Sequence, residues 1–185
     1  MDSIDFLNKD AFKLIEKLLE RKHYLRDLAE EANIAPSHVH KIMAKLASRK
    51  IVLAEMQKNR KFFSLNYSSP LTRRILSPMF INKITSSKAF KKFSKLKPKG
   101  IYLFGTAASG EITADSDIDM AVYFEIKPNT LMLSEIKREL SNELKKEIQL
   151  IVLTREKIDS MRKEKTELLQ QIKNKSMVLE GEAIE

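Results

Sequence analysis

Apolar residues recur at helical spacing through the first quarter of the chain. Between Asp10 and Arg21, the positions Phe12, Leu14, Ile15, Leu18 and Leu19 line one stripe, which predicts an amphipathic helix. From Tyr24 to Leu46, Leu28, Ala29, Ala32, Ile34, Val39, Ile42 and Leu46 predict two short helices packed across a tight turn. Asn33 stands at that turn, where asparagine tolerates a left-handed backbone, and Pro36 suits the first turn of the next helix, where a missing N–H costs nothing. After Lys50 the run IVLAEMQKNRKFFSLNY changes character and predicts two strands around Lys58, Asn59 and Arg60.

Residues 68–99 carry Pro70, Pro78 and Pro98, yet Ile75, Met79, Phe80, Ile84, Phe90, Phe93 and Leu96 recur at spacings near three to four. That predicts a helical connector with one or two breaks, its stripe covered by a domain core or by a homodimer seam. Residues 101–124 read IYLFGTAASGEITADSDIDMAVYF, a strand, a glycine-bearing turn and a second strand. Leu131 to Lys146 has helical period, Ile148 to Leu153 reads as a strand, Thr154 starts the last helical segment, and Met177 to Leu179 adds a short strand. The expectation is an α+β chain in three parts: residues 1–67, a helical connector over 68–97, and an α/β domain with a small mixed sheet over 98–185.

At 185 residues, with 43% hydrophobic and 32% charged composition, the chain can bury one moderate core or two small ones, and the motifs favour two. No run approaches the ~20 apolar residues of a membrane span, and MDSIDFLNKD lacks the features of an export signal. A soluble, cytoplasmic protein with no membrane partner is expected. The absence of cysteine excludes disulfides and thiol chemistry.

Charge is unevenly placed. The formal net charge is +9, but residues 1–100 hold 22 Lys or Arg against 9 Asp or Glu, whereas residues 101–185 hold 12 against 16. Between Pro36 and Lys99 sixteen basic residues meet one acid, Glu55. Such a bias marks either a solvated basic surface or a nucleic-acid partner, and its one-sidedness favours the latter. The helix pair, the helix before it and the basic-tipped hairpin together resemble a winged helix domain over residues 5–67. That resemblance implies duplex DNA as partner, with Ser37, His38, Lys41 and Lys45 facing a groove and Lys58, Arg60 and Lys61 meeting phosphates. His38 and His40 lack the cysteine or acidic neighbours of a metal site.

The densest chemistry lies between Ile101 and Phe124. Asp117 and Asp119 flank Ile118, so an extended backbone points both carboxylates to one face. Two hard oxygen ligands beside a flexible loop suit a magnesium ion carrying a nucleotide's phosphates. The plainer reading makes Asp115, Ser116, Asp117 and Asp119 turn and cap residues, which fits Asp115 but leaves an aspartate inside an apolar strand unexplained. Gly100 and Gly110 read as structural, one at a turn and one in a tight loop.

Gly105, Thr106, ten residues, then Asp117-Ile118-Asp119, with strands on either side, resembles the DNA polymerase beta nucleotidyltransferase superfamily and in particular its minimal nucleotidyltransferases. The signature there is Gly-Ser, ten residues, Asp-x-Asp. The resemblance covers residues 98–180. It implies that Gly105, Thr106 and Ser116 hold the triphosphate, with ATP the expected nucleotide, and that Asp117 and Asp119 are the catalytic, Mg2+-binding pair. Ser109 stands where the family often has arginine. A third carboxylate is expected on a later strand, and the run Glu147-Ile148-Gln149-Leu150 puts Gln149 there, with Glu147 two residues earlier on the same face. Lys145 and Lys146 read as exposed.

The resemblances imply a DNA-binding nucleotidyltransferase that moves a nucleoside monophosphate onto a hydroxyl. Two alternatives stand beside it: a transcriptional regulator whose degenerate transferase domain senses a nucleotide or binds a partner, and an antitoxin-like modifier whose acceptor is a protein.

Overall fold

The computed structural model describes residues 7–126 and 128–184. The first six residues, part of the stretch read above for an export signal, lie outside them. The chain divides into two compact units, Met1–Arg74 and Ile75–Glu185. Among the described residues no helix is long and apolar enough to cross a membrane.

In the first unit, helix α1 (Lys9–Glu20) starts at Asn8, whose side chain accepts a hydrogen bond from the Ala11 amide, and buries Ala11, Leu14, Ile15, Leu18 and Leu19. A two-residue strand β1 (His23–Tyr24) leads into α2 (Leu25–Ala32). Asn33 ends α2 in the left-handed region at φ 52°, its N–H donating to the Ala29 and Glu30 carbonyls. Helix α3 (Pro36–Ser48) has Pro36 in its first turn and buries Val39, Ile42, Met43 and Leu46. Strands β2 (Val52–Gln57) and β3 (Arg60–Leu65) pair from Val52↔Leu65 to Gln57↔Arg60. Lys58 and Asn59 turn the hairpin with φ of 46° and 62°, the double left-handed conformation that two-residue hairpins favour. β1 joins the outer side of β3, giving the order β1-β3-β2.

Helix α4 (Pro70–Ser86) begins in the first unit and ends in the second. The connector carries one break, within the one or two expected, but not at its central proline: Pro78 lies inside α4. Burial of Ile75, Leu76, Phe80 and Ile84 outweighs the local cost of about 3 kcal/mol for an interior proline. The break falls instead at Ser87, whose hydroxyl caps α5 (Lys88–Lys95). Ile75, Phe80, Ile84, Phe90 and Phe93 are all buried within the chain, so these members of the connector's apolar stripe are core residues and not a dimer seam.

The sheet of the second unit has the order β6-β5-β4-β7. Strand β4 (Gly100–Phe104) is buried along its whole length and pairs antiparallel with β5 (Ile118–Tyr123). Gly100 therefore opens a strand and does not sit in a turn; a side chain there would collide with the Tyr102 ring and the Glu182 carbonyl. Between β4 and β5 lies a short helix, α6 (Gly105–Ser109). Helix α7 (Thr130–Leu144) crosses over so that β6 (Ile148–Leu153) runs parallel to β5. Helices α8 (Arg155–Lys163) and α9 (Glu167–Lys175) follow, and β7 (Met177–Gly181) returns antiparallel to β4. Tyr102, Phe104, Ala121 and Leu153 of the sheet pack with Ile158 and Met161 of α8 and Leu169 and Ile172 of α9.

Candidate functional site

The β4–β5 register sets Phe104 opposite Asp119, so the next residue, Gly105, turns off the sheet beside that carboxylate. Gly105 has φ 66°, and a Cβ there would lie 2.2 Å from Asp119 Oδ2. Only glycine meets both constraints. The segment after it, expected to be a loop, is the single turn of α6, closed at Gly110 (φ 76°), whose N–H donates to the Thr106 carbonyl. Ser109 Oγ also donates to that carbonyl, at 3.3 Å. The Thr106 hydroxyl has no hydrogen-bond partner among the described residues, and the residue is half-buried.

Asp117 and Asp119 lie on either side of buried Ile118, and both are partly accessible. Burial, and then the charge of Asp117, hold the Asp119 carboxyl above its ordinary range. On β6, Gln149 registers with Asp119, and its Nε2 donates to Asp117 Oδ2 at 2.9 Å. Glu147 precedes β6, where its carbonyl accepts from the Ile118 amide at 2.9 Å and its side chain is exposed. Among the described residues no group of three or more His, Cys, Asp or Glu is placed to hold a metal ion.

Ser116 Oγ is turned inward, accepting from the Thr113 amide at 2.9 Å and lying 3.0 Å from the Thr113 hydroxyl. It braces the loop that delivers Asp117. The same loop is held by a residue read from the sequence as exposed. Lys146 Nζ donates to the carbonyls of Thr113 and Ala114, both at 2.7 Å, and of Ser116 at 3.1 Å. Lys145 takes the left-handed position that ends α7 (φ 52°) and stays exposed, which leaves Lys146 to turn in. Burial lowers the Lys146 pKa, while Asp115 and Asp117 oppose that shift.

In the first unit Ser37, His38, Lys41 and Lys45 are exposed on α3, away from buried Val39, Ile42 and Leu46. His38 Nε2 lies 3.1 Å from Asp10 Oδ2, a contact between residues 28 apart that sequence pattern does not reveal. Lys58 occupies the hairpin turn, the Arg60 guanidinium lies 5.5 Å from the Tyr24 ring centroid, and Lys61 Nζ lies 5.6 Å from that of Phe63. Among the described residues no carboxylate comes within ion-pair distance of Lys41, Lys45, Lys58, Arg60 or Lys61.

Residues 85–180, 96 of the chain's 185, match the family described as Polymerase beta, Nucleotidyltransferase. The chain belongs to that family. Its nucleotidyltransferase unit carries the Asp-x-Asp, the glycine turn and the mixed sheet described above. No curated protein matches the chain. Among solved structures, a toxin–antitoxin with AMP-PNP is 27% identical, covering 55% of this chain and 73% of that one, with a TM-score of 0.41. A tri-AMPylated Shewanella oneidensis HEPN toxin in complex with MNT antitoxin is 23% identical over 60% of this chain and 73% of that one, TM-score 0.37. A mutant of Lactococcus lactis ZitR is 18% identical over 49% and 70%, TM-score 0.34.

Proposed function

We propose that the nucleotidyltransferase unit binds a nucleoside triphosphate, ATP being the expected one, with a magnesium ion, and transfers the nucleoside monophosphate to a hydroxyl acceptor. Residues 1–67 form a winged helix that brings this site to duplex DNA. The observation that carries the nucleotide reading is the register that seats the Asp119 carboxylate against Gly105, with Asp117 beside it.

Two neighbouring carboxylates, one with a raised pKa, fit magnesium, which takes one or two protein carboxylates and fills its shell with phosphate oxygens and water. Asp117 and Asp119 would hold such an ion, which would supply the positive charge that a triphosphate and a departing pyrophosphate need. The chain's own residues bind and orient. Gly105 allows the backbone to approach the phosphates, and the unpartnered Thr106 hydroxyl donates to a phosphate oxygen. Lys146 fixes the height of the loop that ends in Asp117.

A second reading, a regulator that senses the nucleotide without consuming it, is favoured by Gln149. A neutral amide accepts no proton from an attacking hydroxyl and adds no charge to the metal site. Support for the winged helix comes from the exposed basic face of α3 and the hairpin tip carrying Lys58.

Calorimetry of ATP with magnesium, on the parent and on Asp117→Asn and Asp119→Asn, tests the binding step; equal affinity in all three, or none in the parent, overturns the reading. Incubation with labelled triphosphates and cell extract then separates the two functions. A labelled macromolecule supports transfer, and its sensitivity to nuclease or protease identifies the acceptor as nucleic acid or protein. Binding without label supports the sensor.

A further inference from the structure

Helix α5 carries a feature that the nucleotide site does not use. Lys88, Lys91, Lys92 and Lys95 recur at i, i+3, i+4 and i+7, so they share one side of the helix, and Lys97 and Lys99 follow. All six are exposed. Glu139 reaches Lys92 at 2.6 Å and Glu125 reaches Lys99 at 3.7 Å. Among the described residues Lys88, Lys91, Lys95 and Lys97 have no carboxylate within ion-pair distance.

Like charges three and four apart oppose helix formation, so this face works against the element that bears it. The helix is held by other means. Ala89, Phe90 and Phe93 are buried on its opposite side. Ser87 Oγ accepts from the Phe90 amide at 3.0 Å, and the Glu143 carboxylate accepts from the Lys88 and Ala89 amides at 2.9 and 3.1 Å. The free backbone donors at the helix start are thus taken, and what remains open is a row of ammonium groups.

We propose that this lysine face is a phosphate-gripping surface of the nucleotidyltransferase unit itself, and that its ligand is the backbone of duplex DNA. Charge sets the class of partner, because uncompensated lysines release counterions when they meet a polyphosphate. A membrane is disfavoured because the apolar side of α5 is committed to the core and has nothing to insert. Single-stranded nucleic acid is disfavoured because both aromatic residues of α5 are buried and offer no base a stacking platform. From Lys88 to Lys95 the helix rises about 10 Å, enough to meet about three phosphates along one strand of a duplex. The surface does not depend on the assignment of α3 and the hairpin as a second DNA-binding element.

The test uses the full chain and a random-sequence DNA duplex, with four proteins: the parent, Lys91→Gln/Lys95→Gln/Lys97→Gln, Lys58→Ala/Arg60→Ala/Lys61→Ala, and all six changes together. The α5 substitutions should reduce the slope of log affinity against log salt by about 3, with or without the hairpin charges. Thermal unfolding of the α5 variant should be unchanged or raised, since the changes remove like-charge pairs, and its ATP affinity should be unchanged. A slope equal to that of the corresponding background, in both backgrounds, overturns the proposal, as does loss of binding to phosphatidylserine vesicles with DNA binding intact. If only the hairpin substitutions weaken DNA binding, α5 is a solvated face and the winged helix reading stands; if only the α5 substitutions do, the reverse holds.

Discussion

Gln149 Nε2 donates to Asp117 Oδ2 at 2.9 Å from the β6 position that registers with Asp119. The amide thus reaches the Asp-x-Asp from the neighbouring strand. It also orients Asp117 and spares the pair a third negative charge among groups that already repel. The position is held by a residue suited to keeping the site together and unsuited to taking a proton.

Replacing Gln149 with aspartate reverses that balance. Gln149→Asp is expected to lower the melting temperature without ligand, through like-charge repulsion, and to raise nucleoside monophosphate transfer by the ~10²- to 10⁴-fold worth of a positioned general base. Single-turnover assays with labelled ATP measure the second effect. A rate equal to the parent's would assign the limiting defect elsewhere, and fast transfer by the parent that is lost in Glu147→Gln would move the third carboxylate to Glu147.

Asp119 links stability to pH in a known direction. Its carboxyl is raised from an ordinary value of 3.8, first by burial and then by Asp117. The folded protein therefore holds that proton more tightly than the unfolded chain, and the stabilisation is complete below the unfolded value and lost as pH rises through the folded one. Asp119→Asn cannot ionise and keeps it. At neutral pH this variant should melt above the parent, the gap closing in acid, while its magnesium-dependent ATP binding disappears; a lower melting temperature at neutral pH would contradict the sign.

Gly105→Ala tests the contact that builds the site. The substitution puts a side chain into a left-handed backbone, at a cost of about 1–3 kcal/mol, and drives it into the Asp119 carboxylate. Denaturant unfolding should show that loss, and calorimetry should show ATP binding weakened beyond detection. Normal binding would mean that the β4–α6 turn has room the geometry denies it.

Lys146→Met keeps the aliphatic stem and removes three charge-assisted hydrogen bonds to the Asp117 loop. A loss of about 1.5–3 kcal/mol is expected, with weaker ATP affinity, because the loop backbone is left without its donor. Lys146→Arg retains the charge and should recover part of both. Equal stability in Lys146→Met and the parent would show that solvent satisfies those carbonyls.

At the hairpin, neutralising Lys58, Arg60 and Lys61 together should weaken binding to all DNA sequences alike and flatten the salt slope by up to about 3. Filter binding or fluorescence anisotropy over a salt series provides the measurement. An unchanged slope assigns no phosphate contact to the hairpin tip.

Much of this was readable because it follows short-range rules. Asn33 and Pro36 mark the α2–α3 turn by backbone preference, and the Asp117–Asp119 spacing follows from the strand repeat of two. Other features were hidden for physical reasons. β1 has two residues, too few to show a period, and α6 has five, so a glycine-bearing sequence there reads as a loop. Lys146 beside Lys145 looks like one more surface charge, since its partners are main-chain carbonyls some 30 residues away that leave no trace in side-chain pattern. The place of the connector's break was not legible either, because burial of the neighbours of Pro78 overrides a strong local preference and keeps it inside α4.

The pairing of β4 with β7 joins Ile101 to Glu180, residues 79 apart in sequence, and it closes the side of β4 that β5 leaves open. During synthesis β4 and β5 emerge long before β7, so the buried strand GIYLF waits with one row of main-chain groups unpaired. Residues 177–181 are thus a late-arriving seal on an aggregation-prone edge. Shortened chains ending before Met177 would be expected to collect as insoluble or strand-exchanged assemblies, even though every residue of the nucleotide site would still be present.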